Sequence, residues 1–220
     1  MEATTDGRFR VLSHADDEYV LVDLTPVEDP ADAYEPVRVA AEGYGDDLAE
    51  SVAELEPGVV VDAELIWTDG EARFRSVSVR RRGRVAFADD VENLFEAARE
   101  TWRDARAAGD AMASRVTRDT DGEPNGALYV FADAGARDLL AEFRSGTTPL
   151  EPLIERVNAE EMDGEATDAD PTTDDGSSDP SEPPEREAFV LRPRDGEFVV
   201  VYVAFEPGGL LARTVRDTYF

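Results

Sequence analysis

Six arginines, Arg73, Arg75, Arg80, Arg81, Arg82 and Arg84, fall between Ala72 and Arg84 with no acid among them, in a chain of 51 acids and 22 bases. A guanidinium is a planar fork that matches phosphate oxygens in pairs, so such a run could follow a nucleic-acid backbone. Trp67 and Phe74, with Phe9 and Tyr19, could supply flat faces for bases, because barrels that bind single strands combine a basic groove with aromatic platforms. The competing reading is internal: Arg80-Arg81-Arg82 pair with neighbouring carboxylates, including those of the acidic stretch at 160–187. Molar salt favours that second reading, since counterion release weakens steeply with ionic strength.

Other chemistry finds little to work with. A P-loop needs a Lys to reach the phosphates, and the chain has none; Glu42-Gly43-Tyr44-Gly45 is too short for a dinucleotide fingerprint and reads as a turn. His14 is the single histidine and cysteine is absent, which removes thiol nucleophiles, disulfides and His/Cys zinc sites. His14-Ala15-Asp16-Asp17 reads as a β-turn, and no Gly-x-Ser-x-Gly exists to complete a triad. Asp121-x-Glu123-x-Asn125-Gly126 copies the first half of a calcium loop, but its twelfth position is Ala132, where a bidentate Glu is required. Pairs such as Asp46-Asp47 and Asp89-Asp90 arise by chance among so many acids. No catalytic residue, metal or cofactor is expected, and the balance leans away from an enzyme.

The background from which the arginine run stands out is itself informative. Every base is Arg, Gln and Lys are missing, and the net charge is −29. Self-repulsion of that size strains a compact chain in dilute buffer, whereas at about 1 M salt the Debye length is only ~3 Å. The composition therefore points to a halophilic, acidic cytoplasmic protein. The first residues lack a basic and apolar leader, and no apolar run approaches the ~18 residues of a membrane helix.

The elements that would position these residues fall into two groups, 1–86 and 87–220. In the first, strand signals at Arg8–Leu12, Tyr19–Leu24 and Val37–Ala41 precede a short helix, Asp46–Leu55. Glu56-Pro57-Gly58 then opens a strand at Val59–Trp67, and Asp69-Gly70 turns it into another at Ala72–Val79. In Val59, Val61, Ala63, Leu65 and Trp67 the apolar side alternates with Asp62 and Glu64, as a strand with one wet face requires.

The second group predicts an α+β unit of about four antiparallel strands and three helices. Val91, Leu94, Phe95, Ala98, Trp102, Ala105 and Met112 recur at helical spacing behind an Asp89-x-x-Glu92 cap, predicting one long helix. A strand at Ala127–Ala132 and helices at Ala134–Phe143 and Leu150–Asn158 follow, the last behind Thr148-Pro149-Leu150-Glu151. Residues 160–187 carry 12 acids, one Arg and almost nothing apolar, so they read as a disordered acidic insertion. After it, Phe189–Arg192 and Glu197–Phe205 flank Arg194-Asp195-Gly196 as a hairpin, and Pro207-Gly208-Gly209 leads into a third strand, Leu210–Val215.

Three strands, a helix and two strands resemble the five-stranded OB-fold barrel that binds oligonucleotides and oligosaccharides, over residues 7–84. Arg8-Phe9-Arg10-Val11-Leu12, the Trp102 helix and Phe198-Val199-Val200-Val201-Tyr202 with Gly208-Gly209 give the whole chain a resemblance to haloarchaeal proteins sharing a domain of unknown function. That resemblance implies provenance and no activity. The expected function is a non-enzymatic binding or adaptor protein touching single-stranded nucleic acid or a protein through Arg73–Arg84. The alternative is a structural or regulatory protein–protein interaction protein with no nucleic-acid role, with a homodimer as one form.

Overall fold

The computed structural model describes residues 3–15, 17–25, 34–133, 137–165 and 184–220. Five strands, β1 (Ala3–Ala15), β2 (Glu18–Asp23), β3 (Pro36–Ala40), β4 (Val60–Thr68) and β5 (Glu71–Arg81), pair in the order β1-β2-β3-β5-β4 and close into a barrel. Closure comes from β1 lying antiparallel to β4 along Ala3↔Trp67 to Arg10↔Val60, and from one parallel contact, Val39↔Ala72.

The alternation read from the sequence fills this barrel. Phe9, Val11, Tyr19, Leu21, Val61, Leu65 and Phe74 point inward and are buried. Helix α1 (Asp46–Ala53) closes one end with Val52, whose carbonyl accepts the Tyr19 hydroxyl at 2.8 Å. Burying that phenol raises its pKa, with the Tyr44 ring adding to the effect. The outer wall of β1 and β2 is apolar too: Leu12, Val20 and Val22 form their own buried cluster.

The second sheet has the order β6-β9-β10-β8-β7, from β6 (Arg84–Val91), β7 (Met112–Arg118), β8 (Pro124–Ala132), β9 (Glu187–Pro193) and β10 (Phe198–Ala204). All pairs are antiparallel except β6 with β9. Every residue of β10 is buried, because helices cover both faces. One face packs Leu128, Phe189, Val200 and Tyr202 against α2 (Glu96–Ala108) and α5 (Leu210–Tyr219). The other packs Tyr129, Val190, Val199 and Val201 against α3 (Leu139–Arg144) and α4 (Glu151–Glu165). No described helix is long and apolar enough to cross a membrane.

Several expectations need correction. Leu210–Val215 is the start of helix α5, not a third strand. β10 already has β9 and β8 on its two edges, while Ala212 and Val215, one turn apart, bury against the sheet. The single helix expected from Asp89 to Met112 is three elements: Asp89 and Val91 lie in β6, α2 spans Glu96–Ala108, and Met112 opens β7 after Gly109 stops the helix at φ +81°. Asp89 does not cap; its carboxylate receives Arg192. Among the described residues, five strands and four helices therefore replace the expected four and three. Arg84 opens β6 of the second sheet and so lies outside the barrel, which was expected to span residues 7–84. Thr148 donates its hydroxyl to Glu142 and does not cap α4. The acidic stretch is shortened by α4, which runs to Glu165, and by β9, which begins at Glu187; residues 166–183 lie outside the described residues.

Smaller readings held in part. Gly196 sits at φ +66° in the turn between β9 and β10. The Asp119 carboxylate accepts the Asp121 and Glu123 amides, so the first part of the failed calcium loop is a turn, while its Asn125 and Gly126 already belong to β8. The β-turn read at His14-Ala15-Asp16-Asp17 starts later than expected: His14 and Ala15 still belong to β1, paired with Tyr19 and Glu18, Asp16 lies outside the described residues, and the His14 ring stacks on Tyr19 with centres 4.2 Å apart.

Candidate functional site

The arginine run does not form one basic face. β5 is paired along its length with β4, so its outward side chains lie beside the outward acids of that strand. Arg75 reaches Glu64 at 3.0 Å, and Arg80 lies 3.8 Å from Asp62, which also takes Arg8 at 3.1 Å. Arg73 turns the other way and donates to the carbonyls of Glu42 and Gly43, with its guanidinium 5.0 Å from the Tyr44 ring centre. That latch fixes the loop which the sequence presented as a glycine-rich turn. Arg82 is exposed, and its backbone amide is received by Glu185.

The aromatic platforms are not on the surface. Phe9 and Tyr19 are 1% exposed and Phe74 2%, all inside the barrel. Trp67 is half-buried against that core, with its indole N–H donated to Thr5 at 3.0 Å. The eight residues singled out in the sequence therefore separate: Phe74 joins the core, Trp67 its rim, Arg73, Arg75 and Arg80 are held by neighbours, and Arg82 and Arg84 flank the passage to β6.

Arg81 leads to the place where polar side chains do converge. Alternation puts Arg8 and Arg10 on the outer face of β1, opposite Phe9 and Val11. That wall meets α3 and α4: the Ser13 hydroxyl donates to the Ser145 carbonyl, and a Cβ added to Gly146 would come within 3.0 Å of Leu12 and Val20. α4 carries Leu150, Ile154 and Val157 into the second sheet's core. The same inner stripe carries Glu151 and Asn158, each about one turn from Ile154. A cavity of about 120 Å3 lies between the two walls, lined by Arg8, Arg10, Arg81, Glu151, Glu155 and Asn158.

Glu151 is 1% exposed, and its Oε1 stands 2.8 Å from Arg10 Nε, yet the two are misaligned for a hydrogen bond. At that separation the two form a buried ion pair. Desolvation raises the Glu151 pKa above the ordinary carboxylate range, and the Arg10 charge opposes it. Arg10 also donates to the Gly58 carbonyl at 3.3 Å. The Tyr34 hydroxyl donates to Glu155, and burial together with that bond raises the phenol's pKa. Asn158 accepts from the buried Arg186 at 2.9 Å, and Arg186 also donates to the Phe205 carbonyl at 2.7 Å.

None of Arg8, Arg10, Glu151, Glu155 or Asn158 was singled out from sequence. A signal existed: a helix whose buried stripe includes Glu151 and Asn158 must bury polar groups against something, and β1 offers two arginines on one face. Among the described residues no cluster of three His, Asp or Glu side chains could hold a metal ion.

The whole chain, residues 1–220, matches the model of a family of unknown function, DUF6663. The chain belongs to that family. No curated protein and no solved structure matches it.

Proposed function

We propose that the protein is a non-enzymatic interaction protein that holds an extended polypeptide segment at the open edge of its second sheet. The observation carrying this reading is β7. It ends the sheet order and pairs on one side with β8, and Met112 and Val116 on it are 40% and 42% exposed. An edge strand offers a row of backbone donors and acceptors to an added strand, and exposed apolar side chains supply pockets for alternate residues. Met112–Arg118 also contains no acid, and the nearby α2 carboxylates of Glu100 and Asp104 are paired with Arg115 on the strand.

The single-strand nucleic-acid reading has less behind it. Stacking would have to carry affinity at high salt, and the rings that would stack are in the barrel core. We take residues 1–86 as a barrel of the OB type on its strand order and its helix between β3 and β4. We take 87–220 as a second unit, and the acidic composition as adaptation to a salt-rich cytoplasm.

The test is edge blocking. Val116→Pro removes a backbone donor and Val116→Lys adds a charge, both standard ways of closing an edge. Light scattering in about 2 M KCl reads whether the parent self-associates, and affinity capture from a salt-matched lysate reads other partners. Association by the parent that both folded variants lose supports the reading; equal association by parent and variants sinks it.

A further inference from the structure

We infer that the cleft between β1 and α4 is a binding site for a small zwitterion of the amino-acid type, carrying one ammonium and one carboxylate group. This site is separate from the β7 edge.

The argument begins with Glu151. Its side chain is buried, and among the described residues no donor is well aligned with either carboxylate oxygen, the Arg10 Nε at 2.8 Å lying off the axis of a good hydrogen bond. Buried carboxylates are normally satisfied, because an unmet acceptor keeps its full desolvation cost. Arg10 Nε lies close enough to share charge, but it does not aim its N–H at the acceptor. A donor that enters the cavity supplies what is missing.

The lining then narrows what that donor belongs to. Glu151 and Glu155 stand on the α4 wall, while Arg8, Arg10 and Arg81 stand on the barrel wall, with Asn158 at the end. A simple cation meets three guanidinium groups, and a simple anion meets two carboxylates. A molecule with both charges places its ammonium against Glu151 and its carboxylate towards the guanidinium of Arg10, which also donates to the Gly58 carbonyl, with the Arg8 charge, held by Asp62, nearby. Size agrees: a cavity of about 150 Å3 takes benzene, so the present cavity of about 120 Å3 takes a molecule of glycine or alanine size.

The experiment is isothermal titration calorimetry of the full chain in about 2 M KCl, with glycine and L-alanine as probes and with methylammonium and acetate as single-charge controls. The expected result is one-site binding of the zwitterions, at least about tenfold tighter than either control. Glu151→Gln is expected to weaken binding at least about tenfold, whereas Glu100→Gln, on the exposed face of α2, is expected to leave it unchanged. Circular dichroism checks that each variant folds. If Glu151→Gln does not fold, Glu155→Gln takes its place with the same expectation. Absence of zwitterion binding to the parent, equal binding of acetate or methylammonium, or full binding by the folded glutamate variant would overturn the assignment.

Discussion

Arg10 of β1 and Glu151 of α4 stand 2.8 Å apart with side chains 12% and 1% exposed, and they join the barrel wall to the helix that covers the second sheet. Removing one partner from such a buried pair strands the other, at a cost of roughly 3–5 kcal/mol. Glu151→Ala and Arg10→Ala are each expected to lose that much in chemical denaturation at high salt. Arg10→Leu combined with Glu151→Leu is expected to recover most of it, since apolar replacement of a buried pair is often close to neutral. A double variant as unstable as either single would contradict this account of the contact.

Titration adds a second prediction, with two opposing signs. Hydrogen bonds from Arg192 hold the Asp89 pKa at about 2, and those from Arg137 and Thr148 hold Glu142 at about 2. A depressed carboxylate stabilises the fold above its ordinary pKa, and that contribution is lost as pH falls towards 2. Glu151 is shifted the other way by burial, so its contribution is present at low pH and is lost as pH rises through its raised pKa. Stability of each variant minus that of the parent isolates each site. The Glu142→Gln deficit should shrink as pH falls towards 2, while the Glu151→Gln difference should shift in favour of the variant as pH rises from about 4. Parallel curves for parent and variants would contradict both assignments.

Much of the barrel was legible because period-two alternation survives in β1, β4 and β5, and because Pro57-Gly58 and Asp69-Gly70 mark turns at its strand ends. The second sheet was harder for a definite reason. Its inner strands β9 and β10 are buried along their lengths, and a short apolar stretch such as that of β6 cannot be separated from helix by periodicity. Val91 and Leu94 thus looked like the first turn of a helix that begins at Glu96. β7 escaped notice because an edge strand with one bare face lacks an apolar pattern. The arginine run was visible, but its outcome depended on Asp62 and Glu64 lying one strand away, a matter of register. The cleft needed β1 and α4, far apart in sequence, to meet.

The passage between barrel and second sheet supplies a third prediction. Gly58 has φ +98°, and a Cβ there would lie 2.6 Å from the Arg84 backbone; a Cβ added at Gly83 would in turn lie 2.5 Å from the Gly58 carbonyl oxygen. Backbone on both sides leaves nothing flexible to move. Gly58→Ala is expected to cost roughly 2–4 kcal/mol through strain and displacement of β6. Gly70→Ala tests this separately: Gly70 also has positive φ, at +90°, but nothing lies within 4 Å of the added carbon, so it should lose only about 1 kcal/mol. Equal losses at the two positions would place the cost in conformation alone.

A fourth prediction concerns the arginine run. With Phe74 in the core and Arg75 and Arg80 beside Glu64 and Asp62, the Arg80/Arg81/Arg82→Ala variant and the parent should show the same weak or absent binding to single-stranded DNA and RNA. Fluorescence anisotropy in about 2 M KCl measures it. Binding by the parent that the triple variant loses would restore the nucleic-acid reading.

The strand order of the second sheet also sets a timetable. β9 and β10 lie in its interior but come from residues 187–204, whereas β6, β8 and β7 are synthesised long before them. A growing chain can finish the barrel once Arg81 has left the ribosome, but β6 then waits about a hundred residues for its neighbour, and β8 keeps one side open. Long-range pairing of this kind slows folding and leaves strand edges exposed meanwhile. The nascent protein thus carries its greatest hazard of sticking to other chains late in translation, in the interval before the last two strands slot between those already made.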